Sequence, residues 1–259
     1  LLILTPLKNA AHLLDRHFEL LDQMDYAKQQ ISLAFLVGDS IDDTHEALRH
    51  KLQAIQHLYR RITLLRRDFN YELPNERRKA YTEQQMRRSI MARARNHLVM
   101  GALQDEHWVL WWDVDLVEVP ADAVRTMMAH DRDIITANCY WRWIDGSLQP
   151  YDLNAWHETD ESRAWAQSRD PDELFLEGYK EMWTHRRYLS DYDSDPTQTI
   201  VPLDSVGGTL LLVKAEVHRS GILFPPLVYK HQIETEGFGR MARDAGYDIY
   251  GLPHLKILH

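Results

Sequence analysis

Two aspartates, Asp113 and Asp115, stand directly after an unusually apolar run at 108–112, which reads WVLWW. Only this pair follows a predicted central strand, and open α/β sheets bind ligands at the carboxyl ends of such strands. Alternation along the exit of the strand predicts that both carboxylates point into one crevice. The Asp-x-Asp spacing alone is weak evidence, because it recurs at 131–133, 170–172, 191–193 and 193–195.

Two carboxylates that converge beside an apolar sheet repel each other, so a neutralising partner is expected. A divalent cation is the economical partner. Oxygen ligands suit magnesium or manganese, and these ions keep open positions for the phosphate oxygens of a nucleotide. The pair therefore predicts a metal site that serves a nucleotide substrate. The alternative is a solvated turn in which the aspartates cap the helix that follows.

Arginines on the long helix predicted at about 84–103 could meet those phosphates. Arg88 and Arg95 share one face of this helix, with Arg87 beside them. A guanidinium fits a phosphate group through paired hydrogen bonds, so an inward arginine near a diphosphate is the functional interpretation. A solvated cationic face is the alternative.

The loops that leave the first two predicted strands carry further candidates. Pro6 and Asn9 could shape a loop around a base, and Lys8 could approach phosphate. Asp39 follows the second strand at a similar level and could accept hydrogen bonds from a guanine edge or a ribose. An ordinary helix N-terminus with Asn9 as its cap and a turn at Asp39 are the alternatives.

The second half of the chain mixes aromatic and acidic side chains. Asp152 is the favoured partner for sugar hydroxyls, and Asp204 precedes two glycines that let backbone approach a ligand. Glu234 and Glu236 could also face the reacting sugar. Aromatic residues could stack on sugar faces or form a small core of their own, and they are Tyr140, Trp141, Trp143, Tyr151 and Trp156.

The elements that must position these residues alternate along the chain. Amphipathic helices separate the predicted strands, which favours a doubly wound, Rossmann-like, mostly parallel sheet covered on both faces. Predicted strands fade at about 140–199, which indicates an aromatic and acidic insertion of loops and helices. A strand pair, a helix and a closing strand follow it. The first strands are predicted at 1–5, 31–37, 61–67, 107–112 and 133–139.

Composition excludes several classes of protein. The chain has 259 residues and a formal net charge of -9, which disfavours a broad nucleic-acid surface. A single cysteine, Cys139, excludes an internal disulfide framework and a cysteine-based zinc site. The apolar runs are too short to span a bilayer. We expect an enzyme-sized domain that binds anions through a metal or through placed arginines.

Several longer motifs resemble those of the fungal Golgi mannan polymerase subunits, which are GDP-mannose-dependent α-mannosyltransferases of glycosyltransferase family 62. The resemblance runs through nearly the whole chain in order. It rests on TPLKNA at 5–10, VGDSIDDT at 37–44, ARARN at 92–96, WWDVDLVEVP at 111–120, YDLNAW at 151–156, DSVGGTLLLVKAEVHRSG at 204–221 and ETEGFGRMARDAGYDIYGLP at 234–253.

The resemblance implies a single GT-A catalytic domain over 1–259, with a nucleotide-binding half at 1–139 and an acceptor-binding half at 140–259. It implies retaining transfer of mannose from GDP-mannose to a mannose acceptor, with α-1,6 as the expected linkage, in the elongation of mannan or N-glycan outer chains. It also implies manganese, related mannosyltransferase subunits as partners, and a Golgi-lumenal type II membrane protein whose anchor lies outside this chain.

Carried onto this sequence, the resemblance makes Asp115 a direct metal ligand and gives Asp113 to the ribose and to the water shell of the metal. His259, after the GLP turn, would be a further metal ligand, and His254 is its competitor. Arg88, Asp152, Asp204 and Glu236 are then the catalytic candidates, and the nucleotide candidates are Pro6, Lys8, Asn9, Asp39, Arg95 and Asp113.

Several alternatives stay open. Retention is compatible with a carboxylate nucleophile and with front-face attack guided by the leaving phosphate. A non-catalytic subunit that binds nucleotide or acceptor, and a GT-A glycosyltransferase with another donor, are rival functions. A nucleotide-sugar pyrophosphorylase is disfavoured, because TPLKNA at 5–10 lacks the glycine-rich loop that such an enzyme needs.

Overall fold

The computed structural model describes residues 1–180 and 182–259 of the chain. Its strands are β1 (Leu2–Leu7), β2 (Ser32–Val37), β3 (Arg61–Arg66), β4 (Trp108–Trp112), β5 (Ile134–Arg142), β6 (Leu148–Pro150), β7 (Trp156–His157), β8 (Arg187–Tyr188), β9 (Val201–Pro202), β10 (Leu210–Lys214) and β11 (Ile249–Leu258). Its α-helices are α1 (Leu14–Gln23), α2 (Thr44–Ile55), α3 (Gln84–Ala102), α4 (Ala123–Ala129), α5 (Asp160–Gln167), α6 (Ala215–Arg219) and α7 (Glu234–Asp244).

The main sheet has the strand order β3-β2-β1-β4-β10-β5-β11-β9, and β6 pairs with β5 to form a hairpin. Parallel pairing joins β1 to β2 and β4, β2 to β3, and β5 to β11. The strand β10 is antiparallel to both of its neighbours, β4 and β5. The predicted, mostly parallel α/β sheet is thus confirmed. The antiparallel direction of β10 could not be predicted, because an apolar run reveals burial without revealing strand direction.

Helices cover the sheet on both faces, as predicted. The helices α1, α2 and α4 pack on one face, and α3, α6 and α7 pack on the other. The apolar run before the aspartates follows from this arrangement. In β4, Leu110 and Trp112 face the first set of helices, while Val109 and Trp111 face the second. A strand that is buried on both faces needs apolar residues at every position.

The insertion contains short strands, loops and the helix α5, in agreement with the fading strand pattern. Its residue Trp156 is fully buried, with the Arg186 guanidinium carbon 3.5 Å from the centre of the indole ring. Trp156 is therefore a core residue of the insertion. A turn expected at GLP is instead an irregularity within β11, where the pairing register with β5 shifts between Leu252 and Lys256.

None of the helices in the described part of the chain combines the length and the apolar character needed to cross a membrane.

Candidate functional site

The two aspartates lie in the turn that follows β4. The Asp113 backbone N–H donates to the Thr209 carbonyl, 3.0 Å away, at the start of β10. Since the strand ends at Trp112, strand alternation does not place these carboxylates, and that part of the prediction is wrong. The turn itself keeps both carboxylates half-buried and close together at the carboxyl end of β4.

Asp115 contacts His259, which follows the final strand. The His259 Nε2 atom lies 2.9 Å from the Asp115 Oδ2 atom, and the imidazole stacks on Tyr151 with ring centres 3.8 Å apart. Burial would raise the pKa of Asp115, but the hydrogen bond and charge of His259 hold it below its usual value. His254 contacts the Asp195 carbonyl instead, at 3.1 Å. Of the two candidate histidines, the structure places His259 beside Asp115.

Asp113 belongs to a buried charge network. The Arg95 Nη2 atom donates to the Asp113 Oδ1 atom over 3.2 Å, and the Arg95 Nε atom donates to Glu234 over 2.8 Å. Burial raises the pKa of Asp113 to about 7, and Arg95 opposes this while the nearby carboxylates of Asp115, Glu234 and Asp152 add to it. The site therefore holds more negative charge than its own arginine neutralises.

Asp152 reaches the same region from the insertion. Its Oδ2 atom accepts a hydrogen bond from the Thr209 hydroxyl at 3.2 Å. The carboxylate occupies the space in which a side chain at position 207 would begin, because a Cβ atom on Gly207 would lie 1.9 Å from Oδ2. Burial raises the pKa of Asp152. Gly207 thus makes room for Asp152, and Gly208 makes room for Arg95 and Thr235.

Asp204 itself lies in a different set of contacts. Its Oδ2 atom accepts from the Glu158 backbone N–H at 2.8 Å and lies 2.8 Å from the His157 Nδ1 atom. Its Oδ1 atom is 3.4 Å from Arg243. These contacts fix the insertion to β9 and α7, and the catalytic role of Asp204 stays a prediction without a contact to the aspartate turn.

Glu236 and Arg88 form a buried pair between α7 and α3. The Arg88 guanidinium donates to the Glu236 Oε2 atom, and the Trp156 indole donates to Oε1 at 3.0 Å. Burial raises the pKa of Glu236, although Arg88 opposes the shift. Both carboxylate oxygens are engaged in a fully buried side chain, which is the arrangement of a residue that positions its neighbours. Their catalytic roles stay predictions.

The loop after β1 folds against the loop after β2. The Asn9 side-chain oxygen accepts from the Ile41 backbone N–H at 2.8 Å, and the Asn9 backbone N–H donates to the Ser40 hydroxyl at 3.0 Å. Asn9 adopts a left-handed backbone, with φ of 51°. Pro6 is half-buried in β1, opposite Leu36 of β2. Asn9 therefore organises the loop rather than capping a helix.

Asp39 and Lys8 hold the next loop along the sheet edge. The Asp39 Oδ1 atom accepts from the backbone N–H groups of Phe69 and Asn70 at 3.0 and 2.9 Å. The Lys8 ammonium donates to the Tyr71 carbonyl at 2.6 Å. Asp39 thus stabilises a turn, which was the alternative interpretation of this residue. Nucleotide binding stays a prediction for Pro6, Lys8, Asn9 and Asp39.

Sequence reasoning missed Thr209, and it named Tyr151 for sugar stacking rather than for its contact with His259. Thr209 supplies its carbonyl to Asp113 and its hydroxyl to Asp152, and Tyr151 supports His259. Thr209 is a polar residue that stands directly between a glycine pair and an apolar strand, and this position in the sequence could have identified it. No local pattern indicates the stacking of Tyr151 on His259, because these residues lie far apart in the chain.

The side chains beside the aspartate turn offer few ligands for a metal ion. In residues 1–180 and 182–259, no group of three or more His, Cys, Asp or Glu side chains is arranged to hold a metal ion. Asp115 and His259 nevertheless bring a carboxylate oxygen and an imidazole nitrogen to one point, and this donor set suits manganese. The pair fits an ion whose other ligands come from a bound nucleotide and water.

Comparison with known proteins gives consistent results. The Anp1 family model matches residues 1–228. The mannan polymerase II complex anp1 subunit of Schizosaccharomyces pombe is 39% identical across the whole chain, which covers 63% of that protein. The mannan polymerase complex subunit MNN9 of Candida albicans is 37% identical, with 74% of its length covered. The chain thus spans less than two thirds of the first of these relatives.

A solved structure supports the predicted fold. The mannosyltransferase PcManGT from Pyrobaculum calidifontis, in complex with GDP-Man and Mn2+, matches the whole chain and 56% of its own chain with a TM-score of 0.59. The two sequences are 15% identical, so this likeness concerns the fold alone. It confirms the predicted GT-A type fold.

Proposed function

Because the chain belongs to the Anp1 family, we propose that it is a retaining α-mannosyltransferase. The donor is GDP-mannose, the acceptor is a mannose hydroxyl of a growing mannan or N-glycan outer chain, and the linkage is α-1,6. The observation that carries this proposal is the contact of Asp115 with His259, beside Asp113 and Asp152, at the carboxyl end of β4.

Manganese is the proposed cofactor, held by Asp115 and His259. When bound, the ion supplies positive charge that stabilises the diphosphate as it leaves. Asp113 lies beside Asp115 and is held by Arg95, so its carboxylate is fixed for the ribose and for the water shell of the ion. The nucleotide base is assigned to the loops of Pro6, Asn9 and Asp39, which lie at the same end of the sheet.

The arginine that meets the diphosphate is Arg87 in this proposal. Arg88 and Arg95 are each paired with a carboxylate, whereas the contact that Arg87 makes is to the Gln84 side-chain oxygen at 3.4 Å. Burial lowers the pKa of Arg87, and the nearby charge of Arg78 lowers it further. Among the described residues, the half-buried Arg87 guanidinium donates to an amide oxygen, and a bound anion would stabilise this cation.

Asp152 is the carboxylate assigned to the reacting mannose. It is half-buried and tied to Thr209 at the start of β10, and it lies close enough to Asp113 for its charge to raise the pKa of that carboxyl. In the reaction, the bond between the mannose anomeric carbon and the β-phosphate oxygen breaks and the acceptor oxygen bonds to that carbon. The electron pair of the broken bond leaves with GDP, and the acceptor hydroxyl passes its proton to the departing β-phosphate oxygen.

We propose one catalytic domain, in which 1–139 serve the nucleotide and 140–259 serve the acceptor. The relatives are named as subunits of mannan polymerase complexes, which supports a hetero-oligomer with related subunits. The resemblance to Golgi mannan polymerase subunits extends the proposal to the Golgi lumen.

The test is mannose transfer from GDP-mannose to α-mannobiose, with and without manganese, in the wild type and in Asp115→Asn. We expect manganese-dependent transfer that falls by about 100-fold or more in the variant, since one metal ligand is lost. Asp172→Asn is the matched control, because Asp172 is exposed and belongs to another Asp-x-Asp pair. Manganese-dependent GDP binding without transfer would instead identify a non-catalytic subunit.

A further inference from the structure

The hairpin of β5 and β6 carries two exposed tryptophans. Trp141 and Trp143 keep 37% and 46% of their surface exposed, and their rings contact each other with centres 4.4 Å apart. Tyr140 and Trp156, by contrast, are buried. The aromatic residues of the insertion therefore divide into a core group and a surface group.

The two exposed tryptophans lie on the same side of the sheet as His259, the candidate metal ligand. Side chains alternate along a strand, and the backbone hydrogen bond from Trp143 to Ser147 continues the hairpin one residue beyond β5, so Trp141 and Trp143 share one face of the hairpin. In the parallel pairing of β5 with β11, Tyr140 lies opposite Leu258, so His259 lies at the level of Trp141. Tyr151, on the other arm of the hairpin, stacks on His259. An aromatic row thus leads outward from the Asp115–His259 pair.

The hairpin is held rigidly. The Trp143 backbone N–H donates to the Ser147 carbonyl at 2.9 Å, and Gly146 takes a positive φ of 84° in the turn between them. On the opposite face, the Arg142 guanidinium contacts both carboxylate oxygens of Glu118, at 3.2 and 3.3 Å. These contacts close the hairpin and place the two indole rings side by side on its surface.

The exposed surface suits a sugar chain better than a protein. Two half-exposed indoles offer roughly 200 Å², well below the ~800 Å² per partner of a stable interface. Exposed polar groups also border the rings, since Gln149 pairs with Trp141 across the hairpin and Ser147 follows the turn. Flat apolar faces with polar groups beside them match the alternating C–H and hydroxyl surfaces of a pyranose.

We propose that Trp141 and Trp143 form a platform that binds the acceptor chain beyond the reacting mannose. The strand carries Trp143 about 13 Å from the level of Cys139 and Tyr151, which leaves room for more than one sugar ring. This inference rests on the proposed function, because it takes the acceptor to be an α-linked mannose chain. It adds the residues that recognise the length of that chain.

The experiment compares α-linked mannotetraose with α-mannobiose as ligand and as acceptor. For Trp143→Ala, we expect about a five- to tenfold weaker affinity and higher KM for mannotetraose, with a much smaller change for mannobiose. Trp143→Phe should recover most of the loss. Ile144→Ala is the matched control, because Ile144 is fully exposed at the hairpin tip and is not aromatic.

Donor binding provides a separate readout. Manganese-dependent GDP binding needs no acceptor and should be the same in all of these variants. Equal affinity of Trp143→Ala and wild type for mannotetraose would overturn the platform even if mannose transfer occurs. Loss of association with a related subunit at unchanged mannotetraose affinity would overturn it in favour of a protein interface. Tryptophan-dependent mannotetraose binding without donor binding would support the platform while the proposed transferase activity fails.

Discussion

At the scale of single residues, Gly207 and Asp152 depend on each other. The carboxylate of Asp152 fills the space next to Gly207, and Thr209 donates to it from the neighbouring strand. A side chain at position 207 must push the carboxylate away, because the flexible aspartate yields more easily than the backbone. The geometry of the site is thus controlled by the absence of a single methyl group.

Gly207→Ala should therefore remove activity without unfolding the protein. We expect kcat for mannose transfer to fall by about 100-fold, while the thermal midpoint changes little. Gly101→Ala is the control. The methyl group that it adds would meet the flexible end of the Leu65 side chain and would not reach Asp152. Full activity in Gly207→Ala would show that the position of Asp152 does not matter for the reaction.

Sequence alone identified several residues of this region, and the reasons are local. Asp113 and Asp115 were found because they follow a buried strand, and Asp152 because it lies among aromatic residues. The glycines after Asp204 and the acidic start of a predicted helix at Glu236 indicate a site as well, but partners from other parts of the chain engage both carboxylates. Such pairings depend on packing between distant segments, which composition and spacing do not report.

At the scale of elements, buried ion pairs tie α3 to α7. Arg95 of α3 holds Glu234 at the start of α7 and Asp113 after β4. Glu234 has a positive φ of 56°, a backbone conformation that costs energy for a residue with a side chain. The ion pair with Arg95 holds Glu234 in this conformation and couples the helix start to the aspartate turn.

Arg95→Met should destabilise the protein by about 3–5 kcal/mol, because it leaves the buried Glu234 and the half-buried Asp113 without their cation. Urea unfolding at neutral pH measures this change. Arg93→Met is the matched control on the same helix, with an exposed side chain and an expected change within about 0.5 kcal/mol. Similar stabilities of the two variants would contradict a structural role for the Arg95 pairs.

The fold was predictable in outline for a physical reason. Apolar runs bounded by amphipathic helices identified β1, β2, β3, β4 and β5, since these patterns reflect burial on one or both faces. The position of β10 was not predictable, because its residues satisfy the burial requirement in either direction. The chain segments before and after β10 decide that this strand lies antiparallel between β4 and β5.

At the scale of the whole molecule, buried histidines link stability to pH. Burial lowers the pKa of His17 to about 4, and the charge of Asp115 only partly opposes the shift. Burial also lowers the pKa of His218 to about 4, although the Ile222 carbonyl opposes it. Both residues are neutral in the folded protein at pH values where an unfolded histidine binds a proton. Their contribution to the free energy of unfolding is complete above about pH 6.5. It is lost as the pH falls toward about 4.

His17→Leu should flatten this pH dependence. Between pH 7 and pH 5 the wild type should lose about 2 kcal/mol more stability than the variant, as calculated from proton linkage. Urea unfolding of both proteins at the two pH values measures the difference. His97→Ala, an exposed residue of α3, should retain the wild-type slope. Parallel slopes for His17→Leu and wild type would show that His17 is not held neutral.

The place of β10 in the sheet also has a consequence for biosynthesis. A ribosome delivers β4 and β5 well before residues 210–214, yet β10 is the strand that joins them. Until it emerges, the facing edges of β4 and β5 carry unpaired backbone groups, and unpaired edges promote aggregation. During synthesis, the centre of the sheet between β4 and β5 is therefore completed late. The nascent chain stays prone to aggregation until β10 has been made.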